Sequence, residues 1–166
     1  MATETMQLLL PDGLAAAAVS DALAVRVAIV SQQAHTIDRT FLDTFDGRLQ
    51  RAGMALAATA GRLALLDAAS SIEHAAQTHK RVQKPLLATD LPRGALRGRL
   101  EPLIEMRALT PIVRVRSRQL PLNVLDDIGK IVVRLRVEEP TALGVRVGAG
   151  IALPARLHVV GVLGYD

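Results

Sequence analysis

Cysteine is absent from this 166-residue chain, and so is tryptophan. Without thiols there is no disulfide scaffold, no thiolate nucleophile, no cysteine-ligated zinc and no iron–sulfur cluster. Aromatics are scarce as well: Phe41, Phe45 and Tyr165 are the whole set. Binding of nucleic acid by base stacking has little to work with, so no specific nucleic-acid partner is expected. No apolar run reaches the roughly 18 residues that a membrane-spanning helix needs, so no membrane partner is expected either. The opening Met1-Ala2-Thr3-Glu4-Thr5 has neither the basic stretch nor the apolar stretch of a signal peptide. The expectation is a soluble, cytoplasmic protein. At about 150 residues per domain it reads as one domain, long enough to bury a core.

The motifs of common chemistries are missing too. The histidines at 35, 74, 79 and 158 have no zinc-ligand spacing. There is no P-loop and no nucleophile elbow. Gly148-Ala149-Gly150 reads as a turn, and Ser31, Ser70 and Ser71 have no base beside them in sequence. Asp43 and Asp46 flank a turn, where carboxylates cap backbone N–H groups more often than they do chemistry.

What is present is apolar bulk and arginine. Half of the residues are hydrophobic, which argues against wholesale disorder. The net charge of +4 hides an asymmetry. Residues 1–79 carry five Arg against eight acids, a balance of −3; residues 80–166 carry fifteen Lys and Arg against eight acids, a balance of +7. Seventeen of the twenty cations are Arg. A guanidinium fork matches phosphate oxygens bidentately, so the bias fits an anionic ligand; it equally fits a GC-rich coding sequence.

Periodicity gives the elements. Residues 6–10 read as a strand closed by Pro11-Asp12-Gly13, and 13–24 as a helix, with 25–30 ambiguous. Residues 36–45 are β-branched and aromatic and suit a strand. A helical turn is expected over 48–53, then strands 54–59 and 62–67 joined at Ala60-Gly61. Residues 68–92 read as strand fragments and loop. Leu96, Leu100, Leu103 and Ile104 have helical spacing, and Pro102 either starts that helix near 101 or kinks it. Residues 111–125 and 130–139 alternate apolar and charged around Asp126-Asp127-Ile128-Gly129, the strongest hairpin in the chain. Further strands are expected at 143–147 and 156–163. Many short alternating strands with few helices indicate a mainly β, α+β fold, a barrel or sandwich.

The tight turn suggests that the hairpin carries Arg114, Arg116, Arg118, Arg134, Arg136 and Glu138 on one face. Like charges opposite one another destabilise a sheet. Such a face is either a solvated exterior or a concavity that holds a polyanion, and periodicity alone leaves both open.

Two segments resemble a known family. Asp43-Thr44-Phe45-Asp46-Gly47-Arg48-Leu49-Gln50-Arg51-Ala52-Gly53-Met54-Ala55-Leu56 is similar to the D-T-x-D-x-x-L-x-x-A-G-x-x-L stretch of CYTH domains, the triphosphate tunnel metalloenzymes. Leu103 to Arg107, Pro111 to Arg118 and Leu125 to Glu139 resemble later strands of the same domains, in particular of those that precede a CHAD domain. Val159 to Asp166, ending Gly164-Tyr165-Asp166, resembles the join between the two modules. The resemblance implies an eight-stranded antiparallel, tunnel-like β-barrel with a few flanking helices. It also implies a basic lumen that holds a triphosphate and glutamates that hold Mg²⁺ or Mn²⁺. On it Arg114, Arg116 and Arg134 are phosphate partners and Glu138 a metal or arginine partner; Arg62, Arg118 and Arg136 complete the candidate anion-binding set, and a CHAD domain is a possible partner.

The departures are specific. Where the family opens with E-x-E-x-K, this chain has Thr3, Thr5 and Gln7. Hydroxyls do not replace carboxylates on a divalent ion. The strand after Gly53 reads Leu56-Ala57-Ala58-Thr59, without charge. The expectation is therefore a degenerate CYTH-like module, without a cofactor, that binds polyphosphate or triphosphate or acts as a scaffold. The alternatives are an active triphosphatase that uses Mg²⁺ or Mn²⁺ on other carboxylates such as Glu138 and Glu139, and a purely structural or interaction domain.

Overall fold

The computed structural model describes residues 5–79, 84–144 and 150–162. In chain order the elements are β1 (Thr5–Leu9), α1 (Ala16–Ala24), β2 (Ile29–Ser31), β3 (His35–Asp43), α2 (Arg48–Arg51), β4 (Met54–Thr59), β5 (Arg62–Asp67) and β6 (Glu73–Thr78). A 3-10 turn at Ala88–Asp90 follows, then α3 (Ala95–Ile104), β7 (Thr110–Leu125), β8 (Ile131–Leu143), β9 (Ile151–Ala152) and β10 (Arg156–Gly161). The fold is mainly β, antiparallel, with three α-helices among the described residues. Eight strands run in the order β1-β10-β8-β7-β3-β4-β5-β6, and the short β2 and β9 add to β7 and β8. No helix among the described residues is long and apolar enough to cross a membrane.

The chain divides into two compact units. The first takes residues 1–37, 116–142 and 150–166; the second takes 38–115 and 143–149. In the first unit β10 lies between β1 and β8, with Thr5 opposite Val160 and Leu9 opposite Arg156 on one side. On its other side Arg156 stands opposite Glu138, His158 opposite Arg136 and Val160 opposite Arg134. Helix α1 buries Ala16 and Val19 against Leu122, Leu135 and Val137, with Leu120, Val124, Val133, Leu157 and Val159 around them. Apolar residues two apart on three neighbouring strands make one continuous apolar face, and the helix covers it.

In the second unit β4, β5 and β6 form a meander. Thr59 faces Arg62 across Ala60-Gly61, the hairpin expected there, and Gly61 takes φ 77°, in the left-handed region. The core is leucine: Leu42, Leu49, Leu56, Leu63, Leu65, Leu91, Leu96, Leu100 and Leu109, with Ile104. Helix α3 starts at Ala95, not at Pro102, and runs through the proline. Its buried Leu96, Leu100 and Ile104 supply the apolar stripe that anchors it. The segment 68–92 holds β6 and the 3-10 turn, the strand-and-loop mixture expected. Of the strand expected at 143–147, only Leu143 and Gly144 fall within the described residues.

Candidate functional site

The polar side chains of the first unit are sorted by strand alternation. Leu120, Leu122 and Val124 of β7 share the apolar face with Val133, Leu135 and Val137 of β8 and with Leu157 and Val159 of β10. Successive side chains alternate, so Arg116 and Arg118 belong to that helix-covered face, at its open end. Ser117, Gln119, Arg134, Arg136, Glu138, Arg156 and His158 belong to the opposite face.

The expectation that the hairpin arginines share one face therefore fails, and the cause is a one-residue offset. Across the turn Asp126 N–H donates to Lys130 O at 2.9 Å. Counting back from that pair would set Arg118 against Glu138. Instead Arg118 Nη1 meets Glu139 Oε2 at 3.0 Å. A shift of one residue moves every side chain of a strand to the other face. Glu139 has a second task there: its Oε1 accepts the Ala16 N–H at 2.8 Å, at the first turn of α1.

The face away from α1 is polar, buried at Ser117, Gln119 and Glu138, half-buried at Arg136, Arg156 and His158, and exposed at Arg134. Ser117 is fully buried, Gln119 is 1% exposed and Glu138 is 6% exposed. His158 Nε2 lies 3.0 Å from Glu138 Oε2. The Ser117 hydroxyl, the Gln119 amide nitrogen and the Nε atoms of Arg136 and Arg156 are all buried without a hydrogen-bond partner among the described residues. An orphaned buried donor costs about 1–3 kcal/mol, more when it carries charge.

Most other arginines have a partner. Arg62 holds Glu73 with both terminal nitrogens at 2.7 Å. The carboxylate keeps the Arg62 guanidinium raised above its ordinary pKa. Arg114 pairs with Asp38. Arg97 pairs with Glu101, and Arg116 and Arg39 are engaged as well. Arg26, Arg93, Arg99 and Arg134 have no partner among the described residues but stand in solvent. Half-buried Arg136 and Arg156 differ from all of these.

The second unit gathers charge at the α2 turn, in a structural role. Asp43 is buried and its carboxylate accepts the N–H groups of Thr44 at 2.7 Å, Leu49 at 2.9 Å and Gln50 at 3.0 Å. This is the capping role read from the sequence. Asp46 takes Arg48 at 3.3 Å, Arg107 at 3.1 Å and Arg51 at 3.5 Å. Arg48 also reaches Glu105 at 2.9 Å. The Thr44 hydroxyl first, then Arg48 and Arg107, hold the Asp46 carboxyl below its ordinary pKa. The Arg48 hydrogen bond does the same for Glu105.

A divalent metal does not fit the polar face. Glu138 is the one carboxylate among the described positions of that face; it is held by His158 and stands opposite Arg156 in the sheet register. Hard cations take six or more oxygen ligands and favour several carboxylates. Glu139 points to the other face and is occupied by Arg118 and α1. No three His, Asp or Glu residues converge among the described residues. Gln7, from the position matching the family's lysine, stands opposite His158 in the sheet register; Thr3 lies outside the described residues.

Sequence reasoning missed Ser117, Gln119, Arg156 and His158. The signal for the last two was there: Arg156 and His158 alternate with Leu157 and Val159 on a strand that was itself expected. The first two are neutral and sit between arginines, where nothing in composition marks them. No protein-family model matches this chain, and no curated protein sequence matches it.

Proposed function

We propose that this protein binds phosphate-rich anions, polyphosphate or triphosphate, on the polar face of the β1-β10-β8-β7 sheet. One observation carries this reading. Arg134, Arg136 and Arg156 share a face and make no ion pair or hydrogen bond among the described residues, and two of them bury an unsatisfied Nε there. Anion oxygens would satisfy these donors together with Gln119 and Ser117, and charge-assisted hydrogen bonds of this kind are about twice as strong as neutral ones. The resemblance to CYTH domains supports the same ligand class. The separation of Glu138 from Glu139 favours binding without metal-assisted hydrolysis.

The test is calorimetric titration with tripolyphosphate at low salt. Wild-type protein gives saturable heat that weakens as salt rises. Arg136→Gln weakens binding at least tenfold, about the 1.5–3 kcal/mol of a hydrogen bond to a charged group. Absence of saturable heat from the folded wild type sinks the reading. Release of orthophosphate above blank with Mg²⁺ or Mn²⁺ would favour the enzyme instead.

The exposure of Phe45 (86%) and Met106 (94%) supports a second reading, docking of a partner such as a CHAD domain. Aromatic and Met side chains are enriched at interfaces.

A further inference from the structure

We propose that the open edge of β1 pairs with the same edge of a second copy of this chain, antiparallel about Gln7. Among the described residues β1 is hydrogen-bonded on one side only, to β10. The phase of that ladder fixes which backbone groups are left over. Leu10 N–H donates to Ala155 O at 2.8 Å. Leu10 stands one step beyond the Leu9–Arg156 pair, so it lies opposite Ala155. In an antiparallel ladder bonded and non-bonded pairs alternate. Leu8 and Met6 therefore bond to β10, while Thr5, Gln7 and Leu9 turn their N–H and C=O groups to the open edge.

Native edges are guarded by charge, proline or a bulge. Thr5–Leu9 has none of these. The edge strand β6, by contrast, carries Glu73 and His74. Met6 and Leu8 stand opposite Val159 and Leu157, which places them on the apolar face. They are nevertheless 49% and 45% exposed. Helix α1 packs on Leu122, Leu135 and Val137, in β7 and β8, and leaves Met6 and Leu8 accessible. A second copy fits this edge because the segment is its own complement. With Gln7 opposite Gln7 of the second copy, Thr5 meets Leu9 and Met6 meets Leu8. Thr5, Gln7 and Leu9 then occupy the bonded positions and exchange both main-chain hydrogen bonds with the residues opposite. The Met6–Leu8 pairs occupy the non-bonded positions, where side chains come closest, and each covers the other's apolar surface. No like charges meet along the strand. The arrangement is isologous, so it closes at two copies.

The experiment is sedimentation velocity of the full chain over a range of concentrations. Wild type passes from monomer to dimer as concentration rises, with no larger species. Gln7→Pro removes an N–H that points to the open edge and that β10 does not use, a position where a sheet tolerates proline. It weakens the dimer about tenfold or more, through the main-chain hydrogen bonds lost at the centre of the pairing. Charge changes test the register. Gln7→Lys and Gln7→Glu each weaken the dimer about fivefold, because like charges then stand directly opposite one another. An equal mixture of these two variants associates at least as tightly as wild type. Should Gln7→Pro fail to fold, the charged pair decides. A dimer indifferent to these changes, or a mixture no tighter than either variant alone, overturns the pairing at Gln7. A wild type that stays monomeric up to its solubility limit overturns it too, whether the edge remains bare or takes an extended segment of another protein.

Discussion

Asp46 receives three arginines at a half-buried turn, and their effect on stability depends on pH. The carboxyls of Asp46 and Glu105 are both held below their ordinary pKa, by Thr44 and by Arg48 first of all. A group whose folded pKa is depressed adds stability above its unfolded pKa and loses it as pH falls through the folded value. Asp46→Asn therefore lowers the melting temperature at neutral pH, and the gap to wild type stays constant down to about pH 4 and closes below it. Melting curves across that range check the sign; a gap that widens in acid contradicts it. Asp43 belongs to a different class. Its three backbone partners are fixed whatever the salt, because the carboxylate is buried with them. The sequence showed Asp43 as a cap through its place before a Gly-containing turn. It did not show which arginines would converge on Asp46, since Arg107 arrives from a segment sixty-one residues away.

At the scale of elements, legibility followed periodicity. The β4–β5 hairpin was readable to the residue, because Ala60-Gly61 permits a two-residue turn between two apolar runs. The β7–β8 hairpin was readable as a hairpin but not as a pair of faces. Strand alternation was correct within each strand; what failed was the join, where one residue of offset exchanged the two sides of β7 relative to β8. Composition carries no trace of such an offset. The mainly β class survived because it depends on the strands and not on their phase. The turn can be probed directly. Gly129 adopts φ 79°, which side-chain-bearing residues resist. Gly129→Ala destabilises the protein by about 1 kcal/mol. Urea denaturation with an unchanged slope would show this as a lower midpoint, and an unchanged midpoint would place no demand on that glycine.

For the whole molecule, the relevant quantity is how far apart in sequence the partners lie. Strand β1 pairs with β10 over five residues, from Thr5 opposite Val160 to Leu9 opposite Arg156. Removing residues 1–9 strips β10 of that neighbour and leaves its backbone groups as a bare edge, which is a template for aggregation. The shortened protein loses cooperativity and turns aggregation-prone on heating; light scattering during a thermal ramp reads this out, and scattering equal to wild type would contradict it. The leucine core of the second unit draws on residues between Leu42 and Leu109 and closes over shorter distances. Pairings with long sequence separation form slowly, because loop closure must precede them.

The β1–β10 pairing also bears on synthesis. A ribosome delivers β1 first and its partner about 150 residues later, which at roughly 5–20 residues per second is a wait of many seconds. Throughout that interval the backbone N–H and C=O groups of β1 have no strand to pair with, while Met6, Leu8 and Leu9 are exposed before and after folding alike. Closure of that edge is therefore bound to the end of synthesis, and slowing elongation would lengthen the wait in proportion.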